Sequence, residues 1–325
     1  SDNFDALFEG VRSAPWEDFI PAGAGVRVGK VRINRSKLTA ETTIQAMVHK
    51  AAALRLCEKR AINRLPETGF IAETRVYIEK DQVSVSLDLS GEPLFKRGYR
   101  SEGGVAPLRE TTAAAILLLA NWRRKFPLYD PFCGSGTIVI EAALYAWDAA
   151  PCMMRTFAVS GLAFHNESLE KKTREELLAK VDVNRVIRIY GSDADARSVS
   201  IARSNINRAY EIALGKNPSS GVRAELKLPF VPNIRMTPME DAAALDKEAG
   251  FIITNPPYGR RLGGKTDAKA TYSGMAGLRM RFPRWKLGVI TDEPGFESFF
   301  GKQADSCKEI TNGSMTSYFF QYDMV

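Results

Sequence analysis

Residues 251–266 read FIITNPPYGRRLGGKT. Two readings compete for this stretch. Gly259 to Thr266 spells G-x-x-x-x-G-K-T, the pattern of a phosphate-binding loop, whereas Asn255-Pro256-Pro257-Tyr258 offers acceptors and a ring that suit a planar amino group. A phosphate loop must leave its strand directly, and here Pro256-Pro257-Tyr258 stands between the apolar run and Gly259. The context therefore favours the Asn255 reading, and the rest of the chain tests it.

Working outward, the pattern from about residue 105 is strand followed by helix, repeated. FPLYDPF ends at CGSG and is followed by the helically spaced TIVIEAALYAW; VIRIYGSDAD precedes ARSVSIARSNINRAYEIAL; NIRMTPMEDA, FIITNPPY, WKLGVITDE and TSYFFQYDM supply further runs. Apolar strands alternating with helices predict an α/β fold, a parallel sheet with helices on both faces. Ligands of such sheets sit beyond the carboxyl ends of the strands, and Asp130, Asp193, Asp241 and Asn255 fall at four of those ends. Before residue 105 the pattern is a small α+β unit. TTIQAMVHKAAALRLCEKR (42–60) has helical spacing, and TRVYIEKDQVSVSLDLSG (74–91) alternates as two strands around Lys80-Asp81. The charged segment 167–180 is expected to be a connecting or covering helix.

DPFCGSGT (130–137) places Gly134 and Gly136 in a strand-to-helix turn, where absent Cβ atoms let the backbone approach a ligand. The third glycine of a dinucleotide fingerprint is replaced by Val139, which disfavours a pyrophosphate cofactor. Asp193 suits ribose hydroxyls and Asp241 the amino group of an adenine, so the series points to S-adenosylmethionine. Taken singly, either acid is more often a helix cap or a solvated loop residue. At Asn255, the side-chain oxygen and the Pro256 carbonyl suit the two N–H groups of an exocyclic amine, with Tyr258 stacking on the base. The prolines fix φ and remove donors from a loop that must present acceptors. Such a nitrogen needs no strong base, since it can lose its proton after attack, and alignment supplies most of the rate.

With 45% hydrophobic and 26% charged residues, the 325-residue chain has a globular balance and room for two domains, and no apolar run reaches the length of a membrane span. No charged-then-apolar leader follows Ser1, so no secretion signal is expected, and the unpaired cysteines are expected to be buried thiols of a cytoplasmic protein. Four scattered cysteines and two histidines give no disulfide framework and no metal site. The net charge of +7 suits a polyanionic partner. Between Arg260 and Lys286 eight basic residues face one acid, Asp267, with Tyr272, Phe282 and Trp285 interleaved; FKRGYR (95–100) repeats the mixture. Cations beside rings suit unpaired nucleic acid, and a solvated loop is the bland alternative for each cluster.

The motifs DPFCGSGTIVIEAA and NPPYGRRLG, with KRGYR and APLRETTAAAILLLANW upstream, resemble the THUMP-containing RNA guanine-N2 methyltransferases, above all the bacterial group acting on large-subunit ribosomal RNA. The resemblance implies that residues 1–95 are the later part of a THUMP-like RNA-binding unit and 96–325 a methyltransferase domain with a Rossmann-like sheet. It implies S-adenosylmethionine as methyl donor and the guanine 2-amino group as acceptor. Asp130, Pro131, Phe132, Cys133, Gly134, Ser135 and Gly136 would line the methionine side of the cofactor, Asp193 its ribose and Asp241 its adenine. Asn255, Pro256, Pro257 and Tyr258 would hold the target base, and Arg97, Tyr99, Arg100, Arg260, Arg261 and Lys265 would meet RNA. Adenine-N6 methyltransferases share the N-P-P-Y tetrapeptide and are the enzymatic rival; a catalytically silent RNA-binding assembly factor is the rival of another class.

Overall fold

The computed structural model describes residues 3–100, 108–218, 229–245, 248–257, 265–312 and 315–323. The chain divides into two units, residues 1–93 with 156–172, and residues 94–155 with 173–325.

The first unit opens with α1 (Phe4–Ser13), whose free N-terminal donors are met by the Asn3 side chain accepting from the Ala6 amide at 2.8 Å. A short α2 (Trp16–Phe19) leads into β1 (Gly25–Asn34). Helix α3 (Glu41–Arg60) buries Ile44, Val48, Ala51, Ala52 and Leu56, an apolar stripe recurring every three or four residues, and packs it on β1. The strands β2 (Ile71–Glu79) and β3 (Gln82–Leu87) form a hairpin, and β2 pairs parallel to β1. Lys80 and Asp81 both adopt positive φ, 49° and 62°, as a two-residue turn matched to strand twist requires. Residues 156–172, which the sequence pattern assigns to the second domain, belong to this unit: Val159 N–H donates to Leu89 O, Ala163 N–H donates to Phe19 O, and Gly161 sits so close to the Phe70 ring that a Cβ there would meet it at 2.3 Å. The charged helix α6 (Glu167–Leu178) crosses the division at Lys172.

In the second unit the helix α4 (Glu110–Leu119) precedes a seven-stranded sheet. Its strands are β4 (Leu128–Asp130), β5 (Ile189–Asp193), β6 (Asn233–Met236), β7 (Phe251–Thr254), β8 (Lys286–Thr291), β9 (Ser306–Asn312) and β10 (Met315–Asp323), in the spatial order β6-β5-β4-β7-β8-β10-β9. Ladders from β6 to β8 are parallel, as the alternation predicts, but β10 follows β9 by a short hairpin and runs antiparallel to both neighbours, so the sheet is mixed and not wholly parallel. The order reverses between β4 and β7, which opens a crevice at their carboxyl ends.

Successive residues of each strand feed opposite cores. Leu128, Ile253, Ile290 and Phe319 pack with α4, α5 (Thr137–Ala146) and α7 (Ala196–Ala213). Tyr129, Ile252, Val289 and Phe320 pack on the other face with α8 (Lys265–Met275), α9 (Leu278–Arg281) and α10 (Phe296–Phe300). Tyr272, Phe282 and Trp285, expected from the sequence to offer rings to bases, are core residues of that second face, each no more than 1% exposed. Their ring-to-ring packing (Phe282 on Trp285 at 5.2 Å, Tyr272 on Phe296 at 5.1 Å) explains the interleaving as burial between cations of which Lys269, Arg279, Arg284 and Lys286 are exposed. Strand β9 has no signature in the sequence because Ser306, Cys307, Lys308, Glu309 and Thr311 are exposed and Ile310 is half-buried, an edge strand without an apolar period.

Candidate active site

Asp130 closes β4 and Thr254 closes β7, and the two meet across the crevice floor. The Thr254 hydroxyl donates to Asp130 Oδ1 at 2.6 Å, and the Phe132 amide donates to the same oxygen at 3.1 Å. Both side chains are buried, Asp130 at 1% and Thr254 at 0% exposure. Burial in this setting disfavours the carboxylate and, with a smaller push from Asp193, raises the Asp130 pKa to about 7 against the two hydrogen bonds. Asp130 is thus a strut that ties the glycine turn to the loop after β7.

The turn itself needs its glycines for different reasons. Gly136 has φ +87°, and a Cβ there would come within 3.2 Å of Ala202 Cβ and 3.3 Å of Ile140 Cδ1, so the residue lets α5 close onto α7. Gly134 has φ +51° and nothing within 4 Å of a built Cβ, which means its bare side faces open space. Asp193 Oδ2 accepts from the Gly134 amide at 3.0 Å, and its Oδ1 accepts from Asp195 N at 2.9 Å. One carboxylate therefore sets the height of the turn and the start of α7. Asp195 caps α7, accepting from the Arg197 and Ser198 amides, and the Ser198 hydroxyl at 2.8 Å holds its carboxyl below the usual range.

These residues line a cleft of ≈ 700 Å³. Asp130, Pro131, Phe132, Cys133, Gly134, Ser135, Asp193, Asn255 and Pro257 are all on its wall, so the sheet does bring together motifs that lie more than 120 residues apart in sequence, as the Thr254–Asp130 bond separated by 124 positions shows directly. Gly136 lies behind the wall and Pro256 is buried beside it. Cys133 is also buried, and burial pushes its thiol well above the ordinary range, which makes it a wall residue and not a nucleophile. The wall also carries residues that the sequence pattern does not single out: Leu108, Thr137, Asp195, Met239, Glu240 and Thr271. Asp195 is legible as the second acid of S-D-A-D; the others carry no local signal.

Two assignments need correction. Asp241 is exposed and outside the cleft wall; after β6 the chain makes the one-turn helix Met239–Asp241, in which Met239 and Glu240 face the cleft while the Asp241 amide bonds back to Pro238 O. Arg97, Tyr99 and Arg100 form no surface patch for RNA. Tyr99 is 1% exposed and donates to Glu141 Oε1 at 3.1 Å; Arg97 forks onto Glu141 at 3.4 Å and donates to Leu94 O; Arg100 pairs with Glu110 at 3.0 Å. The segment is a clamp on α4 and α5, and its donors are turned inward. Burial of Glu141 raises its pKa to about 7 despite Arg97. Of the other expected RNA contacts, Arg260 and Arg261, with Tyr258, lie outside the described residues, and Lys265 opens α8.

Electrostatically, the cleft is acidic. Its ionisable wall groups, among the described residues, are Asp130, Cys133, Asp193, Asp195 and Glu240, with no lysine, arginine or histidine. Such a wall favours a ligand carrying positive charge. At the β7 end, Asn255 Oδ1 is buried and has no hydrogen-bond partner among the described residues, an acceptor without its donor. Among the described residues no group of three or more His, Cys, Asp or Glu side chains is placed to hold a metal ion, and no helix is long and apolar enough to cross a membrane.

A sheet of this order, a glycine turn open to solvent and an acidic cleft ending in an unmet acceptor fit the class of S-adenosylmethionine-dependent methyltransferases. A family profile described as UPF0020, RMKL-like methyltransferase domain, matches residues 97–216 and 231–318, and the chain belongs to this family. It is 34% identical to the Bacillus subtilis protein named "Putative RNA methyltransferase YpsC", over 98% of this chain and 78% of that protein. It is 31% identical to the ribosomal RNA large subunit methyltransferase K/L of Syntrophotalea carbinolica, again over 98% of this chain but only 44% of that enzyme, so it spans less than half of its length. Among solved structures, SMU.472 in complex with SAH superposes with a TM-score of 0.83 at 33% identity, covering 99% of this chain and 81% of that one. A Listeria monocytogenes protein described as a "predicted N6-adenine-specific DNA methylase" also superposes at 0.83, with 34% identity and coverages of 99% and 79%.

Proposed function

We propose that this protein methylates the exocyclic 2-amino group of a guanine in RNA, with large-subunit ribosomal RNA as the substrate and residues 1–95 acting as a THUMP-like RNA-binding module in the cytoplasm. The observation that carries the reading is the buried Asn255 Oδ1, unpartnered among the described residues, at the edge of the acidic cleft beside Pro257. The RNA relatives, YpsC and the K/L enzyme, support the substrate class.

The chain's own residues account for the chemistry as follows. An exocyclic amino nitrogen is a weak nucleophile because its lone pair is delocalised into the ring. Asn255 Oδ1 accepts one of its N–H bonds, and the carbonyl of Pro256 serves the other, which favours a pyramidal nitrogen aimed into the cleft. The cofactor would supply an electrophilic methyl on a sulfonium, whose methyl–sulfur bond breaks, leaving its electron pair on sulfur, as the carbon–nitrogen bond forms. Asp193 and Asp130 hold the glycine turn at fixed height against β7, so that donor and acceptor are aligned before reaction. Asp130 keeps Oδ1 engaged with Thr254 and Phe132, which holds the crevice floor in place. The nitrogen sheds its proton to solvent after the carbon–nitrogen bond forms. Because the base must leave its stack to reach Asn255, an unpaired or flipped nucleotide is the substrate.

The test is transfer of labelled methyl from S-adenosylmethionine to unmodified ribosomal RNA, transfer RNA and DNA in parallel, followed by nucleoside analysis. N2-methylguanosine from ribosomal RNA is the expected product. Label in adenine would establish the rival reading that the Listeria relative's description favours. Asn255→Ala is expected to lower transfer at least about a hundredfold, the cost of removing one transition-state hydrogen-bonding group, with SAH binding retained. Transfer at the wild-type rate would remove Asn255 from the mechanism, and SAH binding without any transfer by the wild type would favour a silent assembly factor.

A further inference from the structure

The K-R-G-Y-R clamp leaves one group unexplained. A guanidinium carries five N–H donors. In Arg100, Nε donates to Glu110 Oε1 at 3.0 Å, and Nη2 donates to Leu108 O at 3.2 Å and to Thr137 Oγ1 at 3.0 Å. Nη1 is buried with no partner among the described residues. A buried donor of a charged group left unmet is costly, and native structures rarely retain one without a use.

Its surroundings suggest the use. Leu108 and Thr137, both bonded to Arg100, are on the cleft wall, and Thr137 is the first residue after the Gly134–Gly136 turn. The cofactor's amino-acid portion carries a carboxylate, whereas the described ionisable groups of the wall are acids and a thiol. No described group on that wall balances a carboxylate, and a carboxylate resting on Thr137 comes within reach of the guanidinium that already touches it.

We propose that Arg100 binds the carboxylate of the methionine portion of S-adenosylmethionine through Nη1, making the segment a cofactor-binding element of the methyltransferase unit and not an RNA contact. The inference depends on the cofactor assignment and adds a residue to it. Calorimetric titration of two ligands separates the possibilities: SAH, which keeps the amino-acid portion, and 5′-methylthioadenosine, which lacks it. In Arg100→Met, SAH binding should weaken roughly tenfold to a hundredfold, the usual worth of a hydrogen bond to a charged group, while 5′-methylthioadenosine binding stays within about twofold of wild type. Arg100→Lys should fall between. Because Arg100→Met strands Glu110 in a buried site, the double variant Arg100→Met, Glu110→Gln repeats the measurement without an uncompensated carboxylate. Unchanged SAH affinity overturns the proposal, as does an equal loss for both ligands in both variants, which would make Arg100 a purely structural clamp. Failure of the wild type to bind SAH would overturn the cofactor assignment and the proposal with it.

Discussion

Asp130→Asn makes the strut between β4 and β7 testable. The substitution keeps the shape and keeps an oxygen to accept the Thr254 hydroxyl, but it removes an ionisable group that is buried and whose pKa rises from 3.8 to about 7. The sign follows from proton counting. Between these values the folded protein holds a proton on Asp130 that the unfolded chain has released, so this group makes stability fall as pH rises through the window, and the full penalty applies above about 7. The span is about three pH units, or roughly 4 kcal/mol at ~1.4 kcal/mol per unit. At pH 5 only about a third of the penalty is present. The variant's stability relative to wild type should therefore improve by roughly 3 kcal/mol between pH 5 and pH 8. Urea denaturation of both proteins at several pH values, monitored on the transition that reports the second unit, measures this difference, and other titrating groups such as Glu141 cancel between the two. A difference that does not change from pH 5 to pH 8 would refute the picture of a carboxylate desolvated on the crevice floor.

Three further outcomes are expected. Gly136→Ala should cost about 1–3 kcal/mol, since it combines a left-handed φ of +87° with a contact of 3.2 Å to Ala202, whereas Gly134→Ala, with free space around it, should cost less; thermal denaturation of the pair checks the order. Arg97→Met should destabilise by about 3–5 kcal/mol by stranding Glu141, 4% exposed, and leave the salt dependence of RNA binding unchanged; a flattened slope would restore Arg97 to the RNA surface. Replacing Arg260, Arg261 and Lys265 with alanine should flatten the slope of log K against log salt by about one unit for each phosphate that these cations neutralise, and an unaltered slope would exclude them from RNA.

Legibility from the sequence depends on whether the signal is local. The glycine turn, the apolar runs and the N-P-P segment are adjacent residues with local constraints, namely φ, period and missing donors, and they suffice to place Asp130, Gly134, Asp193 and Asn255 at one rim. Strand β9 is silent because an exposed edge has no apolar period. Asp241 is misplaced by the pattern because a one-turn helix rotates successive side chains apart, and sequence does not say which of Met239, Glu240 and Asp241 turns inward. Arg97, Tyr99 and Arg100 read as a surface because cations beside a ring look alike whether solvated or buried; Glu141, the partner of Arg97 and Tyr99, stands more than forty residues away, and Thr137, one partner of Arg100, stands 37 away.

By itself, then, the sequence determined the alternating architecture, the open glycine turn and the residue types that meet a cationic cofactor and an amino group, since each rests on interactions within a few residues of chain. Only the tertiary structure decided which acids face the cleft, that residues 156–172 pack with the first unit, that Asp130 is a buried strut to Thr254, and that Asn255 Oδ1 and Arg100 Nη1 lack partners among the described residues. Those properties depend on desolvation and on groups brought together from distant positions, and neither is defined until the sheet has formed.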